Sequence, residues 1–357
     1  MADFSQYGGP STEWLEVEKT LPALTFDLST PVKTLQQTVN GTREEASAKI
    51  METLNPKVHI LNHTIPTRDG SSIEARSYRP VTKKASEKLP VYLYFHGGGF
   101  VFGTLSGEDA ASAATAIATD IVVLNVNYRH TPEHTFPTAW YDSQDSFAWL
   151  HDHITELGGD PEKVLVGGVS AGGQLTASLV LEKHIGKALQ GYPDIAGQIL
   201  IIPCVASPAT YDETVGKKLA PAKGSYVENK NAPILPEKTV QFFVDLLKAG
   251  PVDPHDTKMN VINATPDQIR GLPPTVFGIA GLDPLRDEGL LYAQLLAENG
   301  VPTNVRLFKG VPHGHRRFGP ALKASKDWDE CVVQGIQWAL EKPKASGKFE
   351  VQVKGPY

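Results

Sequence analysis

The stretch Val164-Leu165-Val166-Gly167-Gly168-Val169-Ser170-Ala171-Gly172 decides how this chain folds around one serine. Val164 to Val166 is a short aliphatic run typical of a buried strand, and Gly172 to His184 has the pattern of a helix. A G-x-S-x-G pentapeptide between a strand and a helix is typical of a sharp turn that exposes a nucleophilic serine. The turn would direct the N–H of Ala171 at a developing oxyanion. Ser170 is therefore the predicted nucleophile, and a plain tight turn is the alternative.

A second glycine-rich stretch, His96-Gly97-Gly98-Gly99-Phe100, directly follows the β-branched and aromatic run Val91 to Phe95. Consecutive glycines let backbone N–H groups turn inward, and two or three fixed donors stabilise the oxyanion of acyl transfer. A phosphate-binding loop is the rival interpretation. It is weak, because the lysine of a P-loop is missing and no G-x-G-x-x-G follows.

A serine nucleophile needs a base and an acid that orients it, here in the chain order Ser, Asp or Glu, His. His313 and His315 follow the predicted strand Val305 to Phe308, where the base should lie, whereas His184 and His255 are poorly placed. His313 is the preferred base and His315 the alternative.

The acid is expected after the preceding strand, Thr275 to Ala280. Asp283 follows that strand and stands before Pro284, so a helix N-cap is its alternative role. Asp287, one turn into the next helix, is the weaker candidate.

Strand and helix patterns alternate along most of the chain, which predicts an α/β fold with a mostly parallel central sheet flanked by helices on both faces. Val58 to Ile65 and Ile73 to Tyr78, separated by a turn with Asp69-Gly70, predict a leading hairpin of antiparallel edge strands. After the hairpin, the predicted strands are 91–95, 121–126, 164–166, 199–202, 275–280 and 305–308. The predicted helices are 110–118, 140–151, 172–184, 285–299 and 321–340.

Two stretches interrupt the alternation and divide the chain. We expect an N-terminal cap segment at 1–56, core at 57–204, a cap or lid insertion at 205–270, core at 271–342 and a loose tail at 343–357. The insertion carries a helical run from Glu237 to Lys248, and insertions of this length are usually lids or binding elements. We expect the two segments to meet above the sheet as a helical cap. A frayed N-terminus with a surface excursion is the alternative.

Composition excludes several functions. The chain has 357 residues and a net charge of −6 with no concentrated basic stripe, which disfavours nucleic acid as a partner. No apolar run approaches the roughly 20 residues of a transmembrane helix, and the N-terminus does not resemble a signal peptide. Cys204 and Cys331 form no disulfide framework and have no metal-ligand spacing. A cytoplasmic location is expected, and a homodimer stays open.

The chain resembles the hormone-sensitive-lipase-like esterases, the group with an H-G-G-G motif, from about Leu89 to Leu340. The resemblance implies the α/β-hydrolase fold with Ser170 as nucleophile, His313 as base and Asp283 as acid. It implies an oxyanion hole from the N–H groups of Gly98, Gly99 and Ala171, a loop shaped by Gly97 and braced by His96, and no metal or cofactor. The stretches that carry it are 96–103, 127–129, 132–134, 136–137, Asp142, Trp149, 159–161, 168–173, 283–287 and 313–314.

Three positions depart from the family pattern. Val169 stands where relatives usually have Asp, Gln174 where Asn is common, and His315 where an aromatic residue is usual. The N-terminal cap matches only loosely, so the substrate is not defined.

The expected reaction is hydrolysis of small to medium acyl esters or lactones through an acyl-enzyme. The alternative is a non-hydrolytic enzyme of specialised metabolism on the same fold, such as a dehydratase, cyclase or acyltransferase. A ligand-binding receptor is disfavoured, because such relatives have lost one of the three catalytic residues.

Overall fold

The computed structural model describes residues 1–21, 27–220 and 224–357. Within these ranges the chain forms one nine-stranded sheet covered by helices. The strands are β1 (Val58–Pro66), β2 (Ser72–Pro80), β3 (Leu89–Phe95), β4 (Val122–Asn127), β5 (Gly159–Val169), β6 (Gly197–Ile201), β7 (Thr275–Leu282), β8 (Thr303–Pro312) and β9 (Val351–Lys354). The α-helices are α1 (Thr12–Glu18), α2 (Val32–Leu54), α3 (Leu105–Thr119), α4 (Thr138–Asp152), α5 (Ala171–His184), α6 (Tyr211–Thr214), α7 (Ser225–Glu228), α8 (Glu237–Leu247), α9 (Pro266–Ile269), α10 (Arg286–Glu298) and α11 (Lys323–Leu340).

The strand order is β1-β2-β4-β3-β5-β6-β7-β8-β9. β1 pairs antiparallel with β2 and β2 with β4, while every later pair in the order is parallel. The expected mostly parallel sheet and its antiparallel hairpin are therefore confirmed. Because parallel strands end at the same edge, the loops after β3, β5, β7 and β8 come together there.

The two faces of the sheet are buried in separate apolar clusters. Val164 and Val166 of β5 belong to one cluster, and Leu165 between them belongs to the other. In β3, Leu93 lies in the first cluster and Tyr92 in the second. Side chains alternate across a strand, so a run that is apolar at every position is what a strand buried on both faces requires.

The C-terminal residues are not the loose tail that we expected. Val351–Lys354 forms β9, which pairs in parallel with Val305 to Phe308 of β8. β9 supplies hydrogen-bonding partners to an edge strand that would otherwise expose its backbone. The alternating run Phe349-Glu350-Val351-Gln352-Val353 is the signal that sequence reasoning missed.

The N-terminal segment and the insertion meet on one apolar cluster. Leu35 of α2 lies with Val101 and Phe102, and Phe242 and Phe243 of α8 pack against them. Both helices therefore contact the loop that follows β3. The two segments cover the sheet edge where the candidate site residues lie.

Within the described ranges, the search for membrane-spanning segments finds no helix with the length and apolar character to cross a bilayer.

Candidate active site

Ser170 lies on a strained turn between β5 and α5. Its backbone has φ 55° and ψ −114°, a conformation that side-chain-bearing residues rarely adopt. A Cβ on Gly168 would lie 2.3 Å from the carbonyl carbon of Gly172, and one on Gly172 would lie 2.0 Å from the Phe95 carbonyl oxygen. Both glycines of the pentapeptide are therefore required by the closeness of the backbone, as the sequence predicts.

Three side chains from three loops form a continuous hydrogen-bonded chain. The Ser170 Oγ lies 3.0 Å from Nε2 of His313, whose Nδ1 lies 2.7 Å from Oδ2 of Asp283. A carboxylate can only accept, so Nδ1 carries the imidazole proton and Nε2 accepts from the serine hydroxyl. Asp283 and His313 are almost fully buried, which keeps this hydrogen-bonded chain dry.

Asp283 also performs the capping role that sequence analysis gives as its alternative. Its Oδ1 accepts the N–H of Leu285 at 2.9 Å, just before α10 begins at Arg286. One carboxylate therefore fixes the start of the helix with one oxygen and meets His313 with the other.

The alternative acid and base lie elsewhere. His315 is fully buried between Phe308 and Trp328, and its Nδ1 donates to the carbonyl of Pro312 at 3.2 Å. Burial lowers the pKa of His315 to about 3, so it stays neutral. Asp287 accepts from Arg286 Nε at 2.7 Å and from the Ser225 N–H at 2.7 Å, away from His313.

The glycine loop after β3 lies against the serine turn. A Cβ on Gly97 would lie 3.0 Å from the Val169 carbonyl oxygen and 3.5 Å from Ser170 Cβ. Gly98 and Gly99 have φ of 143° and 62°, so neither position suits a larger residue. In the part of the chain that the structure describes, the N–H groups of Gly98, Gly99 and Ala171 have no protein acceptor. They are free to serve an oxyanion.

His96 supports this loop from below. Its ring stacks on Tyr128 with 4.5 Å between centroids, and the Tyr128 hydroxyl donates to the His96 carbonyl at 2.8 Å. A Cβ on Gly103 would lie 2.1 Å from His96 Cε1, so the loop closes directly around the ring. Burial holds the pKa of His96 well below its ordinary value, which suits a neutral bracing residue.

Three polar residues of α2 that sequence reasoning missed hold the loop from above. Gln36 Nε2 donates to the Val101 carbonyl at 3.2 Å, Asn40 Oδ1 accepts the Gly103 N–H at 2.9 Å, and Arg43 Nη1 donates to the Gly97 carbonyl at 3.2 Å. Their spacing of four and three residues places them on one helical face. That spacing is visible in the sequence, but the acceptors are backbone atoms with no sequence signal.

An apolar cluster lies next to the reacting centre. Leu285, next to the acid loop, packs with Leu235 and Val240, and with Cys204 and Phe243 at the margin. The Cys204 N–H donates to the Ser170 carbonyl at 3.3 Å. A Cβ on Gly99 would lie 2.4 Å from the ring of Phe243. The cluster thus offers an apolar wall to a substituent on the reacting carbon.

Cys204 and Glu288, two titratable residues near this apolar wall, do not compete with Ser170 as nucleophiles. Burial and the nearby Glu288 raise the pKa of the Cys204 thiol, which keeps it protonated. Burial raises the pKa of Glu288 to about 8, and its Oε1 accepts the Val205 N–H at 2.7 Å. Among the described residues, no group of three or more His, Cys, Asp or Glu could hold a metal ion.

Val169 and Gln174, two of the three residues that differ from the usual family pattern, have structural roles. A Cβ on Gly97 would lie 3.2 Å from Cγ1 of Val169, so the Val169 side chain packs against the glycine loop. Gln174 donates from Nε2 to the Met259 carbonyl at 3.0 Å and so ties α5 to the insertion. Neither residue interrupts the hydrogen-bonded chain from Ser170 to Asp283.

Comparison with known proteins identifies the family. A family model of the alpha/beta hydrolase fold matches residues 92–316, which include all three residues of the hydrogen-bonded chain. The chain belongs to the α/β-hydrolase family. The resemblance to esterases of this family, expected from the sequence, is confirmed.

Relatives of this α/β hydrolase include named esterases. Esterase LipI of Mycobacterium tuberculosis is 30% identical over 310 residues, covering 87% of this chain and 89% of its own. The Pyrobaculum calidifontis esterase structure is 31% identical with a TM-score of 0.73, covering 93% of this chain and 99% of its own. A vibralactone cyclase structure superposes with a TM-score of 0.82 at 24% identity, covering 96% and 98%, which shows a shared fold.

Proposed function

We propose that this protein is a carboxylic ester hydrolase that acts through an acyl-enzyme on Ser170. The observation that carries the proposal is the hydrogen-bonded chain from Ser170 through His313 to Asp283, set beside a glycine loop with free N–H groups. Relatives at 30–31% identity are named esterases, in agreement with ester hydrolysis as the reaction class.

The first half-reaction forms the acyl-enzyme. Ser170 Oγ attacks the ester carbon while Nε2 of His313 takes its proton, and Asp283 stabilises the imidazolium through Nδ1. The carbonyl oxygen becomes an oxyanion that the N–H groups of Gly98, Gly99 and Ala171 hold. Loss of one such donor costs about 3 kcal/mol of transition-state stabilisation. The tetrahedral intermediate then collapses, His313 returns the proton to the leaving oxygen, and the alcohol departs.

The second half-reaction releases the acid. A water molecule attacks the acyl carbon while His313 again takes a proton, and the same N–H groups hold the new oxyanion. Collapse returns the proton to Ser170 Oγ and frees the carboxylic acid. No step requires a metal or an organic cofactor.

The proposal includes the compartment and the substrate class. Both cysteines are free thiols, which fits a reducing compartment such as the cytoplasm. The substrate is a small-molecule ester with a small or medium acyl group, because an apolar wall closes on the reacting centre. A homodimer and the absence of nucleic acid binding stay predictions.

The test is hydrolysis of p-nitrophenyl esters from acetate to dodecanoate by the wild type and Ser170→Ala. Ser207→Ala is the matched control, since Ser207 is buried nearby and its own side chain is outside the proposed mechanism. We expect Ser170→Ala to lose at least about 10⁴-fold in kcat and the control to keep its activity.

A lyase, cyclase or transferase would give a different pattern. A wild type that is inert toward every ester, or a Ser170→Ala variant that keeps its turnover, would contradict hydrolysis. Transfer would appear as ester product when a second alcohol is added.

A further inference from the structure

The segment before α1 crosses the ends of β7 and β8 and contacts the loops that carry Asp283 and His313. A Cβ on Gly281, two residues before Asp283, would lie 2.7 Å from the Tyr7 carbonyl oxygen and 2.8 Å from the Gly310 nitrogen. Gly310 lies three residues before His313. Gly281, Gly310 and the backbone of Tyr7 therefore lie so close together that a methyl group on Gly281 does not fit between them.

Hydrogen bonds fix this arrangement. The Ser11 N–H donates to the Gly310 carbonyl at 2.9 Å, and Ser11 Oγ accepts the Trp14 N–H at 3.1 Å. A Cβ on Gly310, whose φ is 80°, would lie 2.5 Å from the Ser11 nitrogen. Ser11 is thus held at once by β8 and by the first turn of α1.

The same segment reaches the start of α10 on the acid side. A Cβ on Gly8 would lie 1.6 Å from Oε1 of Glu228, so the Glu228 carboxylate lies directly on Gly8. The other oxygen of Glu228 accepts from Arg286 Nη2 at 2.9 Å, and Arg286 Nη1 donates to the Gly281 carbonyl at 3.2 Å. Because Arg286 is fully buried, water does not compete for these hydrogen bonds.

Both ends of the segment are anchored. The Ala2 N–H donates to the Lys218 carbonyl at 2.8 Å, which joins the segment to the insertion. At the other end the fully buried Trp14 packs on Phe318, with 5.3 Å between ring centroids. Contacts at both ends therefore hold the segment in place, to the insertion on one side and to the region after His313 on the other.

We propose that residues 4–14 are a positioning segment that sets the distance between the Asp283 carboxylate and the His313 imidazole. The inference rests on the proposed function, in which this hydrogen bond orients the base. The segment does not contact the reacting atoms. It acts through Gly281 and Gly310, which lie near the ends of β7 and β8, just before the loops that carry Asp283 and His313.

The experiment compares Gly310→Ala with Gly300→Ala. Both glycines have φ of 80° and lie at or near opposite ends of β8, but nothing lies within 4 Å of a Cβ on Gly300. The control therefore carries the same backbone strain without touching the segment. Steady-state kinetics with a p-nitrophenyl ester give kcat and KM for both variants and the wild type.

We expect Gly310→Ala to lower kcat about ten- to hundredfold with little change in KM, because small misplacements of a catalytic group are costly. Gly300→Ala should stay within about twofold of the wild type in both kcat and KM.

A second pair covers the case in which Gly310→Ala does not fold. Ser11→Pro removes the N–H that Gly310 accepts, at a φ of −79° that proline tolerates, while Ser11→Ala keeps that N–H and loses only the side-chain cap. The proline variant should show the same loss of kcat at nearly unchanged KM, and the alanine variant should not.

Equal kcat values in the members of each pair, or a rise in KM as large as the fall in kcat, would overturn the positioning role. Ser170→Ala is measured alongside. Full turnover by that variant would overturn the proposed function, whereas its inactivity together with equal pairs would overturn only the positioning role.

Discussion

The ring of Phe243 lies directly on Gly99, so closely that a Cβ on the glycine would be 2.4 Å from Phe243 Cδ2. Phe243 comes from the insertion and Gly99 from the glycine loop, so the cap and the predicted oxyanion hole share one contact. The same ring also borders the apolar cluster around Leu285. We therefore expect this ring to limit the acyl chain that the proposed esterase accepts.

Phe243→Ala should therefore lengthen the acyl chain that the enzyme accepts. We expect the ratio of kcat/KM for octanoate to that for acetate to rise about tenfold, because several methylene groups gain apolar contact. Phe242→Ala is the control, since Phe242 packs in the cluster around Leu35 and is not part of the cluster around Leu285. An identical chain-length profile in both variants would contradict this role.

Asp283→Asn should separate the two roles of this carboxylate. The amide keeps an oxygen for the Leu285 N–H, so thermal stability should change little, while kcat should fall about 10⁴-fold. Asp287→Asn should do the reverse: kcat is kept, but the buried Arg286 loses one of its two negatively charged partners, at a cost of about 3 kcal/mol in unfolding free energy. Kinetics and chemical denaturation of both variants test this, and equal kcat losses would argue against Asp283 as the acid.

His315→Phe should reduce the acid sensitivity of folding. Burial lowers the pKa of His315 from 6.5 to about 3, so the unfolded chain takes up a proton between these values and the folded chain does not. Stability is thus lost as the pH falls below 6.5, by up to about 1.4 kcal/mol per pH unit. The variant should lose less unfolding free energy between pH 6 and pH 4.

Urea denaturation across that range measures the difference. The exposed His184, replaced by Phe, provides the control and should leave the slope unchanged. A slope in His315→Phe equal to that of the wild type would show that His315 is not the group responsible.

Asn40→Ala should weaken catalysis by loosening the glycine loop. The buried Gly103 N–H would lose its acceptor, and an unsatisfied buried donor costs about 1–3 kcal/mol of stability. The glycine loop that would hold the oxyanion should therefore be less well positioned. We expect kcat/KM to fall about tenfold or more. Thr42→Ala, which removes a bond within the exposed face of α2, should have no such effect. If the two variants have the same kcat/KM, α2 does not support the loop.

Deletion of residues 349–357 should destabilise the fold and promote self-association. It would expose the backbone of β8 as an open edge and remove the bond from the Tyr357 hydroxyl to Asp327. We expect a melting temperature about 5 °C lower and larger species in gel filtration. Val353→Lys, at an exposed side chain, keeps the backbone pairing and should remain like the wild type. A truncated chain that is unchanged in both measurements would contradict this view of β9.

The sequence was sufficient for strands β1 to β8 and for Ser170, Asp283 and His313 as the preferred members of the candidate site. Runs such as Val164 to Val166 are apolar at every position because the strand is buried on both faces. Gly168 and Gly172 are dictated by a turn in which backbones nearly touch. Ser170, Asp283 and His313 follow β5, β7 and β8 in the required chain order, and parallel strands end at the same edge of the sheet, so the sequence predicted that they would meet.

Only the tertiary structure decided between alternatives that look the same in a sequence. His313 and His315 stand two residues apart, and the turn after β8 sends one to Ser170 and buries the other against Trp328. Residues 351–354 form β9 because their backbone hydrogen-bonds to the otherwise open edge of β8. The contacts of Gln36, Asn40 and Arg43, and of Tyr7 and Ser11, end on backbone atoms. Every residue has the same backbone atoms, so residue identity carries no record of such contacts and only the folded chain reveals them.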